Sequence, residues 1–343
     1  MAYTTINKST DYFNTVLYTG TEPSNKAVTG VGFQPDWVWI KQRSGTEGHY
    51  LADVLRGSSY VLRSNETAVE NNRGSNGIQS FDSDGFTAGG GDDINSSGGT
   101  FASWNWKAGG AGSSNTDGSI NSTVSVNTTS GFSIVKYTGT GANATVGHGL
   151  GVAPAMIIVK SRTTVNNWRV GHNGLTDWTY KLNLESNVAE SSQANVWNST
   201  APTSSVFSLG SSSSVNDSGQ SFIAYCFAEK TGYSKIGSYG GNGNANGTFI
   251  YTGFKPAFIL QKRIDNAGSW NILDNKREGY NVDNNRLFPD TTGTENTLDI
   301  VDILSNGFKW RATGSNYNNS GETNIYIAFA EQPLIGDNPA TAR

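Results

Sequence analysis

Apolar and polar positions along this chain alternate in short runs bounded by Gly, Asn, Ser and Pro. No window keeps apolar spacing of three and four over three helical turns, so the pattern predicts strands joined by tight turns. One run is written three times. Gly32-Phe33-Gln34-Pro35-Asp36-Trp37-Val38-Trp39-Ile40-Lys41 returns with Pro154 and Lys160, and again with Pro256 and Lys262. Trp37, Trp39 and Lys41 fall on one face of the predicted strand, and Val38, Ile40 and Gln42 on the other. Both faces are apolar until the end, as in a strand covered on two sides. The three lysines are expected where that strand reaches solvent, followed by Arg43, Arg162 and Arg263.

Other signals repeat in the same order. Each copy opens with a strand ending near a tyrosine (Tyr18, Tyr137, Tyr239). A short segment after the lysine reads His49-Tyr50-Leu51-Ala52-Asp53, then Trp168-Arg169-Val170-Gly171-His172, then Trp270-Asn271-Ile272-Leu273-Asp274. An Asn-to-Gly turn follows at constant spacing (Asn95, Asn216, Asn318) and feeds a closing strand. Ser83-Asp84-Gly85-Phe86 and Ser305-Asn306-Gly307-Phe308 read as hairpins whose glycine step supplies positive φ. The period is about a hundred residues, too long for a solenoid repeat. With no helix to cover a sheet, each unit is expected to close as two packed sheets. The fold class is therefore all-β: three tandem β-sandwich, jelly-roll-like domains from internal repeats.

Composition sets the boundaries. The first sandwich is assigned to residues 1–108, and a Gly/Ser/Asn/Thr-rich linker to 109–130. The second sandwich covers 131–230, the third 231–334, and a short polar tail 335–343. Almost nothing separates the second and third units, so they should sit close in a fixed orientation. Although so much Gly (42), Ser and Asn would suit disorder, Trp 9, Tyr 14 and Phe 15 supply ample surface to bury.

Charge and chemistry narrow the function. A net charge of −4 without a basic run excludes an electrostatic footprint for nucleic acid. No segment approaches a membrane span, and the first residues lack a signal-peptide layout, which implies synthesis in a host cytoplasm without membrane insertion. Cys226 is alone and lies in an apolar run, where burial makes it inert. His49, His148 and His172 lack metal-ligand spacing and read as polar loop or strand-end residues. Asp82, Asp84, Asp92 and Asp93 cluster, and Asp274, Glu278, Asp283, Asp299 and Asp302 are spread through the third copy. Neither set shows the paired geometry of a glycosidase, and Asp82-Ser83-Asp84 falls short of a calcium loop. No catalytic residue, metal ligand or cofactor is assigned. Trp168 and Trp270 occupy equivalent positions and read as core. Trp178 and Trp197 have no counterparts and lie among Asn, Ser and Thr, which makes them the candidate glycan contacts.

Tyr233-Ser234-Lys235-Ile236-Gly237-Ser238-Tyr239, the third Pro-headed run, Leu304 to Lys309, and Ala328-Phe329-Ala330-Glu331 together resemble a tandem β-domain of tailed phages of marine bacteria, a family not yet characterised. The ending Pro339-Ala340-Thr341-Ala342-Arg343 is similar to the C-terminus of many such proteins. The resemblance implies a virion structural protein, without catalytic residues to transfer. It points to a tail fibre or host-recognition component located in the virion, the alternatives being a capsid decoration protein and a glycan depolymerase. Expected partners are other virion proteins, further copies of the chain in a homo-oligomer, and a host surface glycan. Closed rings are the default for such oligomers; three domains imitating a threefold ring within one chain is the alternative.

Overall fold

The computed structural model describes residues 4–278, 281, 283–333 and 339. The polar tail, apart from Pro339, lies outside the described residues. The protein is all-β, with helix confined, among the described residues, to single turns such as Asp92–Asn95 and Ser213–Asn216. Each repeat is a two-layer sandwich. In the first, the inner sheet runs opening strand Phe13–Thr19, closing strand Thr100–Trp106, Pro-headed strand Trp37–Gln42, flanking strand Tyr50–Asp53. The third repeats that order with Ser234–Gly240, Thr323–Pro333, Phe254–Arg263 and Asn271–Asp274. All of these pairings are antiparallel, and their registers correspond: Trp39 faces Trp104, Ile158 faces Tyr225, and Leu260 faces Ile327.

The two apolar faces of the Pro-headed strand serve two different cores. Val38 and Ile40 pack into the first sandwich with Val28, Phe86 and Phe101. Trp37 and Trp39 point the other way, into a cluster shared by all three repeats. There Trp37 stacks on Tyr225 at a centroid distance of 4.4 Å, Phe13 on Phe329 at 5.2 Å, and Phe227 meets Phe329 edge-on at 6.0 Å. The three inner sheets thus close around one axis with quasi-threefold symmetry. A void of about 10 Å³ remains there, lined by Trp37, Trp106, Ile158, Leu260, Phe329 and neighbours. Such a space has room for one water at most and offers it no polar partner.

Two expectations need correction. The stretch read as a linker contributes strands Ser113–Asn115 and Ser122–Asn127, which extend the second inner sheet to eight strands. Ile120 and Val124 are buried in the second sandwich, so apolar alternation outweighed the flexible composition. The repeated hairpins form with two-residue loops; the expected positive φ holds at Gly85 (145°) but not at Gly307, and glycine is required at both for a further reason. A Cβ on Gly85 or Gly307 would sit 2.0 Å from the carbonyl oxygen of Val28 or Ile250 on the next strand.

Candidate functional site

The repeated polar residues hold the structure together. Lys41, Lys160 and Lys262 are fully buried, against the expectation that they reach solvent. Each ammonium donates to the carbonyl of the next residue, at 2.6–2.9 Å. Lys160 and Lys262 also reach the carbonyls of Thr67 and Asn187 in the preceding repeat. Burial lowers the pKa of each to about 8. The tyrosine and Asn-Gly motifs form one clamp, built three times. Tyr18, Tyr137 and Tyr239 donate to the carbonyls of Ile94, Val215 and Tyr317. The adjacent Asn95, Asn216 and Asn318 accept from the backbone N–H of Thr21, Thr140 and Asn242. Each of these amides also donates to two carbonyls of the facing loops.

A second device closes the ring of repeats. Position 49, 168 or 270 donates a ring N–H to a neighbour's backbone. His49 Nε2 reaches Phe288 O at 3.0 Å, Trp168 Nε1 reaches Arg63 O at 2.9 Å, and Trp270 Nε1 reaches Asn183 O at 2.9 Å. The first repeat therefore holds the third, the second holds the first, and the third holds the second. The core reading of Trp168 and Trp270 holds, and His49 is their equivalent.

Four residues further on, the seams diverge. Between the first and second repeats, Asp53 accepts from Arg56 and from Tyr225 Oη at 2.8 Å, with both charged side chains fully buried. Glu70 then takes a bidentate pair from Arg162, at 3.0 and 2.8 Å. Between the third and first, Asp274, Arg277, Trp104, Glu295 and Arg43 build the same network. Between the second and third, His172 replaces the aspartate, buried Leu175 the arginine, and Ile327 the donor. His172 Nε2 donates to Tyr326 O at 3.3 Å.

The histidines lie in loops or at a strand end, as expected, but all three are buried. In each, Nδ1 accepts (from Trp39 Nε1, Leu150 N or Gly174 N) while Nε2 faces a carbonyl, which fixes the Nε2–H tautomer. Burial lowers the pKa of His49 to about 3, with Lys41 adding to the effect, and that of His172 to about 4. Burial raises the Cys226 thiol. Asp93 is held by Arg63 and Arg73, Asp82 by Thr87, and Asp84 by the N–H groups of Gly30 and Gly32. Among the described residues no group of three His, Cys, Asp or Glu is placed to hold a metal, and no helix is long and apolar enough to cross a membrane.

The two tryptophans proposed as glycan contacts come together, but only one is open. Trp197 is 1% exposed and packs edge-on against Trp178 at 5.9 Å. Both indoles lie over Gly171, where a Cβ would come within 2.4 Å of Trp178. Trp197 is therefore core and presents no face to a ligand, because the missing Cβ lets it settle onto the sheet. Trp178 remains partly exposed.

Two unrepeated surfaces stand out. Phe249 and Tyr251, 43% and 55% exposed, project outward from an edge strand of the third repeat. The equivalent positions are Ala27 and Thr29 in the first repeat, and Thr145 and Gly147 in the second. The other is a groove of about 340 Å³ beside the second repeat's added strands, lined by Ser114, Asn121, Thr123, Lys136, Thr138 and Arg162 among others. Ser114, Asn121, Ser122 and Thr123 belong to the stretch assigned to a linker, and Lys136, Thr138, Arg162 and Ser221 to the second sandwich. The alternation of Ser122-Thr123-Val124-Ser125-Val126 was the available signal.

This geometry defines a class: an all-β repeat protein whose three sandwiches close into a ring around a shared aromatic core. The chain belongs to the family described as a domain of unknown function, DUF7483, whose model matches residues 8–333. Comparison with curated proteins and with solved structures gave no match.

Proposed function

We propose that this protein is a non-catalytic structural component of a phage virion, carried on a tail appendage, where it meets the host surface. The observation that carries this reading is the division of labour between repeated and unrepeated residues. Every repeated polar motif is engaged in clamps, seams or buried amines, which makes a rigid block. Unrepeated side chains such as Phe249, Tyr251 and those of the second repeat's groove face solvent, and Trp178 does so in part. That arrangement suits a scaffold that displays a recognition surface. The resemblance to marine phage virion proteins supplies the setting.

Electron microscopy of virions labelled with antibody to the protein tests the location. Label on tail appendages is expected, and label on the capsid shell would replace this reading with a decoration role. Purified protein added to host cells should reduce phage adsorption. Release of oligosaccharides from host envelope glycans by the pure protein would overturn the non-catalytic assignment.

A further inference from the structure

We propose that the groove beside Ser113–Asn115 and Ser122–Asn127 binds an acidic saccharide, with a carboxylate of the sugar against Lys136 Nζ. This deepens the host-recognition reading and rests on it for its biological meaning. The argument begins with what is free. Ser114, Asn121 and Thr138 are exposed, Thr123 is half-buried, and none of the four side chains makes a hydrogen bond with a described residue. The repeated polar side chains elsewhere are engaged. Three hydroxyls and an amide converging on one groove match a polyol, since each can both donate and accept.

Charge gives the second half. Among the described residues the groove is lined by no carboxylate, although the chain carries a net charge of −4. Arg162 is neutralised by its bidentate pair with Glu70 and also donates to Ser221 Oγ at 3.2 Å. Among the described residues Lys136 has no acidic partner, and its ammonium donates to the Leu55 carbonyl alone, at 3.4 Å. One uncompensated cation beside a row of hydroxyls calls for an anionic ligand with hydroxyls of its own. A single-stranded nucleic acid fits less well. The ring in the lining, Tyr137, is buried against Phe222, so no open aromatic face is left for a base. The groove's volume lies at the lower end of the range for small-ligand sites, about 300–1,000 Å³.

The test is calorimetric titration of the full chain with trigalacturonate and related uronic-acid trisaccharides, with the methyl ester of trigalacturonate, and with a short oligonucleotide. Binding of an acidic trisaccharide is expected, with at least about ten-fold weakening on esterification and in Lys136→Met. Asn121→Trp, an exposed change that leaves the melting temperature in place, should also abolish it by filling the groove. Equal binding of ester and acid would overturn the proposal, as would undiminished binding by both variants, tighter binding of the oligonucleotide, or no binding of any trisaccharide. The adsorption assay separates the two readings. If Lys136→Met competes with phage as well as the unaltered protein does, the groove assignment fails and host recognition stands. If neither competes while sugar binding depends on Lys136, the groove stands and host recognition falls.

Discussion

The seam between the first and second repeats and the seam between the second and third occupy the same positions with different chemistry. At the former, Asp53, Arg56, Tyr225, Glu70 and Arg162 form a buried ionic network. At the latter, His172, Leu175 and Ile327 take those places, and the seam is held by neutral ring N–H bonds from His172 and Trp270, by the Lys262 ammonium on the Asn187 carbonyl, and by backbone bonds such as Glu190 N to Ile264 O at 2.9 Å. The substitutions are coupled. Once the closing strand presents Ile327 in place of Tyr225 or Trp104, an aspartate would face hydrocarbon, and a buried carboxylate without donors is costly. A neutral histidine that finds its own backbone partners meets the same geometry without a charge. The comparison teaches that the ring tolerates either chemistry, provided that each seam is complete.

The largest effect should come from breaking an ionic seam halfway. Arg56→Ala strands Asp53 in the interior and is expected to cost about 3–5 kcal/mol, read from the urea midpoint. The combined change D53H/R56L/Y225I writes the chemistry of the other seam into this one and should recover most of that loss. If the triple variant is no more stable than Arg56→Ala, the two seams are not interchangeable.

Acid should separate the seams next. The folded-state pKa values of His49 and His172, about 3 and about 4, lie below the unfolded value near 6.5. Between those limits the unfolded chain binds more protons, so stability is full above pH 6.5 and is lost as pH falls. Each histidine contributes a slope of up to about 1.4 kcal/mol per pH unit. Melting curves should show His172→Gln flattening the loss between pH 6.5 and 4. His49→Gln should flatten it further, toward pH 3. A variant with the unaltered acid profile would mean that its histidine is already charged in the folded state.

The smallest effect should be the most uniform. Tyr18→Phe, Tyr137→Phe and Tyr239→Phe each remove one clamp bond, at about 1 kcal/mol apiece. Because the clamp is built alike in all three sandwiches, the three losses should agree within a few tenths of a kcal/mol. A marked outlier would locate a repeat whose clamp bears unequal load.

Strands, hairpins and the two-faced Pro-headed run could be read in the residue pattern, because alternation is a local property of the chain. The seam networks left a partial trace: Asp53 and Arg56 share the spacing of Asp274 and Arg277, and His172 with Leu175 breaks it. Only the alternation from Ser122 to Val126 hints at the groove, because Gly, Ser and Thr between Gly109 and Ser130 look the same in a linker and in an edge strand. The burial of Trp197 is hidden in the sequence for a related reason. Polar neighbours in sequence say little about what packs above Gly171 in space.

The sequence alone determined an all-β chain with three copies of one strand set, since periodicity, turn residues and repetition act over short distances along the backbone. Only the tertiary structure decided what the second apolar face of each copy was for. Trp37, Ile158 and Phe329 lie far apart in the chain and meet in one cluster because three two-faced sheets can bury their inner faces only against each other. It also decided the fate of the motif lysines. A strand end that looks solvent-bound in the second or third repeat is covered by the preceding one, and its amine is left to cap carbonyls in the interior.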